Sequence, residues 1–505
     1  MTNDSTSDSA DGRGSDAGER PRRMRLRLDA SYRRPADGPV VIGGSPLRLL
    51  TLSPGGTAIV RALEETGSVE VRTTAVGRLI DRLVDSGIVH PLHEADSADP
   101  GPADPGSPDP RSPDFLRTAS DRRQLTIVTP SLRARPGSHP PRPGWSNRAI
   151  VVDDASTPPL APADVARGAQ IVRLGVNVGP GGARNAGLAE VTTEFVAFVD
   201  DDVQIDEHAL TSLLAWFDDP LVALVAPRIR AADSRCPLAR FEAERSPLDL
   251  GDQPARVAPT TRVSYVPAAV IVCRTEAVRS VGGFDTRLRW GEDVDLVWRL
   301  HAAGWRCRYE PSVVAEHRTR RSLRAWIAQR FHYGQSAAPL AERHPGALAP
   351  VRMSGWSAAA WAPIAAGFPV VGVTIGLGTA IALVRKLPQL PAAESLRLAG
   401  LGNLYAGRLW AATLTRAWWP IALIAAISSR RARATLLAAM IVPIAIDRRA
   451  AKRSSPLRLD LPRYAALHLL DDVAYGTGVW VGAWRQRSAA ALLPRFEAWP
   501  PRDPS

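Results

Sequence analysis

Three consecutive aspartates, Asp200, Asp201 and Asp202, follow the apolar run FVAFV at 195–199. Neighbours in an extended segment point to opposite sides, so Asp200 and Asp202 face one point while Asp201 faces away. Two converging carboxylates repel unless a positive charge joins them. A hard dication, Mg²⁺ or Mn²⁺, suits them because it takes oxygen ligands and keeps room for water and substrate phosphate. The competing reading is a loop of solvated acids, and the apolar run before the trio weighs against it.

Three further stretches carry residues of the same kind of chemistry. In GVNVGPGGARNAGLAE, 175–190, Gly179, Gly181 and Gly182 allow close backbone approach before a helix whose free N–H groups attract phosphate, and Arg184 adds a cation. A plain strand-to-helix turn explains the glycines equally well. In VVDDAS, 151–156, Asp153 and Asp154 end an apolar run, where a carboxylate accepts a hydrogen bond from a base or ribose, or else caps a helix. In 281–317, Glu292 and Asp293 open an amphipathic helix in which Val294, Val297, Trp298 and Leu300 form the apolar face. Capping accounts for one acid there. Asp285, Trp290, Glu292, Asp293 and Asp295 together resemble a substrate platform with a candidate base.

The elements that must position these residues are short apolar runs, LTIVT, AIVV, IVRL and FVAFV, alternating with helical or glycine-rich segments. Runs without polar alternation suit strands of a parallel sheet covered by helices on both faces. In such sheets ligands gather beyond the carboxyl ends of the strands, where the aspartate trio lies. Between LTIVTPS and AIVVDDAS, the segment 131–148 is short and contains four prolines, so no ordinary helix is expected there.

The chain of 505 residues is too long for one core. Residues 1–23 carry no apolar periodicity and read as a disordered tail, with no secretory signal peptide. Residues 24–96 read as a small winged-helix-like α+β module, with a capped helix start at Ser53-Pro54 and a second helix ending before Gly87. Its nine Arg against nine Asp plus Glu lack the basic footprint that nucleic acid requires, so no nucleic-acid partner is expected. Residues 97–120 form a linker rich in Pro and Asp. A catalytic unit over 121–330, a connecting helical segment over 331–353 and a hydrophobic region over 354–505 complete the chain.

In that last region, 354–384 holds thirty-one positions without a charge, enough to span a bilayer as a helix. Two shorter apolar runs, 417–429 and 434–446, suit re-entrant or interfacial segments. Of the net charge of +12, most sits in 385–505, with 18 basic against 7 acidic residues, as expected beside anionic cytoplasmic lipid. The three cysteines, Cys236, Cys273 and Cys307, fit neither a disulfide framework nor a zinc knuckle, and a reducing compartment is expected.

The ordered set VVDDAS, NVGPGGARN, FVDDDV, GGFD, GEDVDLVWRL and His317 resembles the family 2 glycosyltransferases over roughly 121–330. The N-terminal RLRLDASYRR and VVIGGSPLRLLTLSP, with the hydrophobic tail, resemble the mycofactocin-system branch. The resemblance implies an α/β nucleotide-sugar-binding domain of GT-A type, dependent on a divalent cation, Mn²⁺ or Mg²⁺, and inverting the anomeric centre. It implies Asp293 as base with Glu292 beside it, and Asp200, Asp202 and His317 as metal ligands, although a lone His is as readily structural. Pro130, Asp153, Asp154, Arg184 and Asp201 would hold the donor, and Asp285 and Trp290 the acceptor. The implied donor is UDP-glucose, the acceptor premycofactocin, the product a β-1,4-glucan, and the site the cytoplasmic membrane face, with lipid as a partner. Its N-terminal module resembles peptide-recognition domains. A lipid or polysaccharide acceptor stays open, as do a nucleotidyltransferase, recognised by diphosphate release, and an inactive sugar-binding scaffold, recognised by acceptor binding without turnover.

Overall fold

The computed structural model describes residues 22–92, 125–132, 148–166, 168–232, 236–320, 322–450 and 459–497. The expected linker, the segment 133–147 and all of the expected tail except Arg22 and Arg23 lie outside these residues.

At the N-terminal end the order is β1 (Arg22–Leu28), β2 (Val40–Gly43), β3 (Arg48–Thr51), α1 (Pro54–Thr66), β4 (Ser68–Val71), α2 (Thr74–Asp85) and β5 (Val89–Pro91). β1 begins two residues before the expected start of order at Met24, because Arg22 and Arg23 pair with Val71 and Glu70 of β4. The sheet order is β4-β1-β5, with β2 and β3 as a separate antiparallel pair. Ser53 caps α1 by accepting from the Gly56 N–H, and Gly67 closes it in the left-handed region. Ile80, Leu83 and Val84 turn the apolar face of α2 onto Leu26, Val60 and Leu63.

This unit is fastened to the rest of the chain. Arg306 bridges Asp85 (2.9 Å) and Asp81 (3.2 Å) to Asp219 (2.9 Å). Val40 and Ile42 pack on Leu387, Leu390 and Leu398.

The central sheet comprises β6 (Leu125–Ser131), β7 (Arg148–Asp153), β8 (Gln170–Arg173), β9 (Phe195–Val199), β10 (Val203–Gln204), β11 (Val222–Ala231), β12 (Ala255–Val257), β13 (Val270–Arg274) and β14 (Arg306–His317). Their order is β10-β14-β11-β13-β9-β6-β7-β8, with β12 on β14. The pairs β6–β7, β6–β9, β7–β8 and β11–β14 are parallel, as the continuous apolar runs predict. The sheet is nonetheless mixed, because β13 inserts antiparallel between β9 and β11. On one face lie α3 (Gly179–Glu190), α6 (Thr275–Ser280) and α7 (Glu292–Ala302), and on the other α4 (Glu207–Ser212) and the turn after it. α5 (Pro237–Glu244) follows β11.

Beyond β14 come α8 (Leu323–Gln335), α9 (Ala337–Arg343), β15 (Arg352–Ser354), α10 (Gly355–Ala365), α11 (Pro369–Lys386), α12 (Ala392–Ala412), a π-helical turn (Thr413–Ala417), α13 (Trp419–Ser428), α14 (Arg430–Ala450), α15 (Leu461–Gln486) and β16 (Arg495–Glu497). The uncharged stretch 354–384 is two helices rather than one, broken at Gly367, whose φ is 87°. Among the described residues one helix, α11, is long and apolar enough to cross a membrane. The pair formed by Ala392–Ala417 and α13 passes the same test but bends by 92°. α14 takes Arg430, Arg431, Arg433, Arg448 and Arg449 into a helix of 21 residues, longer than its apolar run.

α8 and α15 approach closely. A Cβ on Gly334 would stand 2.0 Å from the Tyr475 carbonyl oxygen, and one on Gly478 2.0 Å from that of Phe331. Only glycine permits this backbone contact.

Candidate active site

β9 ends at Val199, and the chain turns so that Asp200 and Asp202 line one cleft of about 720 Å³, within the range of small-ligand pockets. Asp201 points elsewhere and accepts from the Ser131 hydroxyl at 2.9 Å. The alternation expected of the trio is therefore present. His317, at the end of β14, faces Val203 across the antiparallel pair and brings its Nε2 to 3.5 Å from Asp202 Oδ2. Among the described residues no group of three or more His, Cys, Asp and Glu side chains is drawn together as a ready-made metal cage.

Arg184, expected to meet the donor, lines the same cleft. It is buried, and its guanidinium donates to Asp200 Oδ1 (2.7 Å) and Glu292 Oε1 (2.8 Å) and lies 5.4 Å from the Phe284 ring. It stands as a counter-charge inside the acid cluster. Its position depends on α3, which starts at Gly179 with φ of 81°. Gly181 lets α7 come near, since a Cβ there would be 3.3 Å from Glu292 Cγ.

α7 begins at Glu292 after Gly291, which adopts a left-handed conformation. Asp293 Oδ1 accepts from the Val294 N–H (2.8 Å), and its Oδ2 accepts from the Ala268 N–H (3.3 Å). Burial raises the Asp293 carboxyl above the ordinary range, against the pull of those N–H groups and of Arg184. Burial and the neighbouring Asp293 charge raise Glu292 against Arg184. Burial likewise raises Asp200, with Arg184 opposing and Asp202 assisting.

The remaining expected residues divide. Trp290 lines the cleft and stacks on His332 with ring centroids 4.1 Å apart. Asp285 is not part of the lining. Arg287 (2.8 Å) and Arg343 hold it, and the Arg287 hydrogen bond keeps its carboxyl down at about 2 despite burial. Asp153 is fully buried and accepts from the Ser156 (2.9 Å) and Leu160 (3.0 Å) N–H groups and from Arg173. Asp154 accepts from the N–H groups of Val178 (2.8 Å) and Gly179 (3.0 Å), so it shapes the glycine turn. Pro130 stays within β6, in register with Val152. As it stands, then, this edge holds the loops that carry the cleft. The segment 133–147, where the short connection was expected, lies outside the described residues.

The far wall of the cleft went unread in the sequence. It is made by Tyr265, Arg330, Tyr333, Arg416, Asp471 and Tyr475, five of them from helices after β14 or from the π-helical turn. A sign of it was available, because Asp471 and Asp472 interrupt an otherwise apolar helix, and such acids are costly without a role. Arg330 binds Asp471 (2.7 Å) and also Glu242, which accepts from Trp326 Nε1 at 2.5 Å.

Residues 146–259 match the model of the family described as glycosyl transferase family 2. Over 484 residues the chain is 38% identical to a pre-mycofactocin glycosyltransferase of Mycobacterium tuberculosis, a match covering 93% of this chain and 97% of the relative. It is 28% identical over 234 residues to an N-acetylglucosaminyl-diphospho-decaprenol L-rhamnosyltransferase of the same species, covering 39% of this chain and 75% of that one. Among solved structures, a mannosyltransferase from Pyrobaculum calidifontis in complex with GDP-Man and Mn²⁺ aligns at 19% identity and a TM-score of 0.33, covering 61% of this chain and 91% of that one.

Proposed function

From the premise that the chain belongs to glycosyl transferase family 2 and is a glycosyltransferase of the mycofactocin system, we propose that it transfers glucose from UDP-glucose to premycofactocin with inversion, extending a β-1,4-glucan. The observation that carries the reading is a single cleft lined by Asp200 and Asp202 at the end of a central strand and by Asp293 at the start of α7.

The residues fit a divalent cation. Asp200 and Asp202 offer oxygens on the cleft wall, His317 stands beside Asp202, and the mutual repulsion of the two carboxylates is one that a cation between them would offset. A hard cation that completes its shell with water and substrate phosphate needs no closed cage. Asp200, Asp202 and His317 would hold it, and when bound it would neutralise charge on the departing diphosphate.

Asp293 takes the proton from the acceptor hydroxyl as that oxygen attacks the anomeric carbon, so an α-linked donor yields a β-linked product. A raised carboxyl makes it a better base than a solvated aspartate, whose pKa is ~3.9. Arg184 fixes Glu292 as its ion-pair partner, which leaves Asp293 as the acid of the pair available for proton transfer. Trp290, stacked on His332, offers a rigid face for the acceptor. The N-terminal module, read as a winged-helix-like peptide-recognition fold, docks the acceptor or its precursor, and α11 with the exposed apolar residues around it seats the enzyme at the cytoplasmic membrane.

The test is transfer of labelled glucose from UDP-glucose to premycofactocin by membranes carrying wild type, Asp202→Ala or Asp293→Asn. Loss of about 10²–10⁴-fold in both variants is expected; equal transfer by all three defeats the assignment.

A further inference from the structure

Away from the cleft, arginines gather where the N-terminal unit meets the edge of the central sheet. β12 pairs antiparallel with β14, and the register sets Arg256 directly opposite Arg308. Residues so placed share a face, and like charges there repel. Arg306, two positions before Arg308, lies on that face too, and it is turned toward the N-terminal unit, since Arg306 holds Asp85 and Asp81 of α2. Arg308 is 2% exposed, yet its Nε and Nη1 are buried without a hydrogen-bond partner among the described residues. The half-buried Arg256 side chain likewise has no hydrogen bond or ion pair among the described residues. The acids nearby are already taken. Asp85 meets Arg306 Nε at 2.9 Å and Nη2 at 3.0 Å, and Asp219 meets Nη1 at 2.9 Å and accepts from the Leu221 N–H. Asp29 accepts from the Ser31 N–H and lies 2.9 Å from His90, with Arg262 at 3.7 Å. The charge of Arg48 in β3 bears on Arg256, and that of Arg308 bears on His90 in β5, so Arg48 and His90 face the same seam from the N-terminal side. Burial first, and then Arg306, bring Arg308 down to about 10, Arg256 adding to them against Asp219 and Asp85.

A guanidinium withdrawn from water and left unpaired is costly, and one set beside a second is more so. An oxyanion relieves both together, because its several oxygens accept from two guanidinium forks at once. We propose that Arg256 and Arg308 hold a phosphate-type dianion in the seam between the N-terminal unit and the central sheet, where it matches their two charges and fastens one unit to the other. The ligand does not react. Neither arginine lines the catalytic cleft, so the inference is independent of the transferase reading. Its consequence is that attachment of the N-terminal unit, already made through Arg306 and through Val40 and Ile42, is strengthened by phosphate.

The test uses the full-length protein without donor or metal, in inorganic phosphate or in chloride at equal ionic strength. Saturating phosphate is expected to raise the wild-type Tm by several degrees and to slow hydrogen exchange in β12, at 306–310 and at the end of α2. R308M keeps the apolar stem and removes the charge, so it is expected to match wild type in chloride and to gain nothing from phosphate. R256Q, at the half-buried position, weakens phosphate binding about tenfold, and it carries the same comparison should R308M fail to fold. Uridine monophosphate, read against the same variants, separates two sources of the dianion. An effect equal to that of phosphate assigns the seam to the phosphoryl group of a larger ligand, and no effect assigns it to the free ion. A wild-type Tm that phosphate does not move overturns the proposal. An equal gain in wild type and in both variants overturns it as well, because the ion is then bound elsewhere.

Discussion

At the residue scale the centre of the site is Arg184, one guanidinium shared by Asp200 and Glu292. Its charge holds nearby Asp293 lower than burial alone would. With Asp293 as the proposed base, which must be deprotonated to act, kcat/KM is expected to rise as pH rises through its pKa. Removing the cation in Arg184→Gln raises that pKa, and the acid limb of the pH–rate profile is expected to move to higher pH. Loss of a preorganised charge also lowers the maximal rate by about 10²-fold. A limb that stays in place would show that Arg184 does not govern the base. Asp285 has a different part. Its partners are Arg287 and Arg343, so Asp285→Ala is expected to cost ~1–2 kcal/mol of stability in a denaturant titration and to leave the acceptor KM unchanged.

At the element scale the contact of α8 with α15 depends on glycines that no side chain can replace. Gly478→Leu is expected to force the helices apart and lower Tm by several degrees, with loss of transfer, because Tyr333 and Tyr475 line the cleft from these two helices. An unchanged Tm would mean that the contact is dispensable. The apolar runs made the parallel strands legible, and the cap at Ser53 with Pro54 after it made the start of α1 legible, since both signals are local in sequence. The aspartate alternation was legible for the same reason. The antiparallel insertion of β13 was not, because the run Val270–Arg274 reads identically in either direction. Nor was the pairing of Arg184 with Glu292, 108 residues away, since partners so distant leave no mark in spacing. The Gly367 break was visible as a glycine between two prolines, Pro363 and Pro369, but an uncharged stretch dominates such a reading.

At the scale of the whole molecule, exposed apolar side chains concentrate on the helices after residue 369, among them Val370, Leu377, Leu404, Ile424 and Ile427. Patches of this kind mark contact with another apolar phase. If that phase is lipid, the purified chain should float with liposomes, more strongly when they contain anionic lipid, and Leu377→Glu combined with Ile424→Glu should reduce flotation severalfold. Recovery of the wild type entirely in the unfloated fraction would remove the membrane assignment. The N-terminal unit belongs to the same assembly, joined to the catalytic sheet through Arg306 and to the helices through Val40 and Ile42.

Because Arg416, Asp471 and Tyr475 close the cleft from the far side, trimming the chain after β14 would not liberate a self-sufficient enzyme. Such a fragment would retain the aspartate trio and the base but lose the floor beneath the incoming hydroxyl. It would be a vessel open at the bottom, able to grip one reactant and spilling the other.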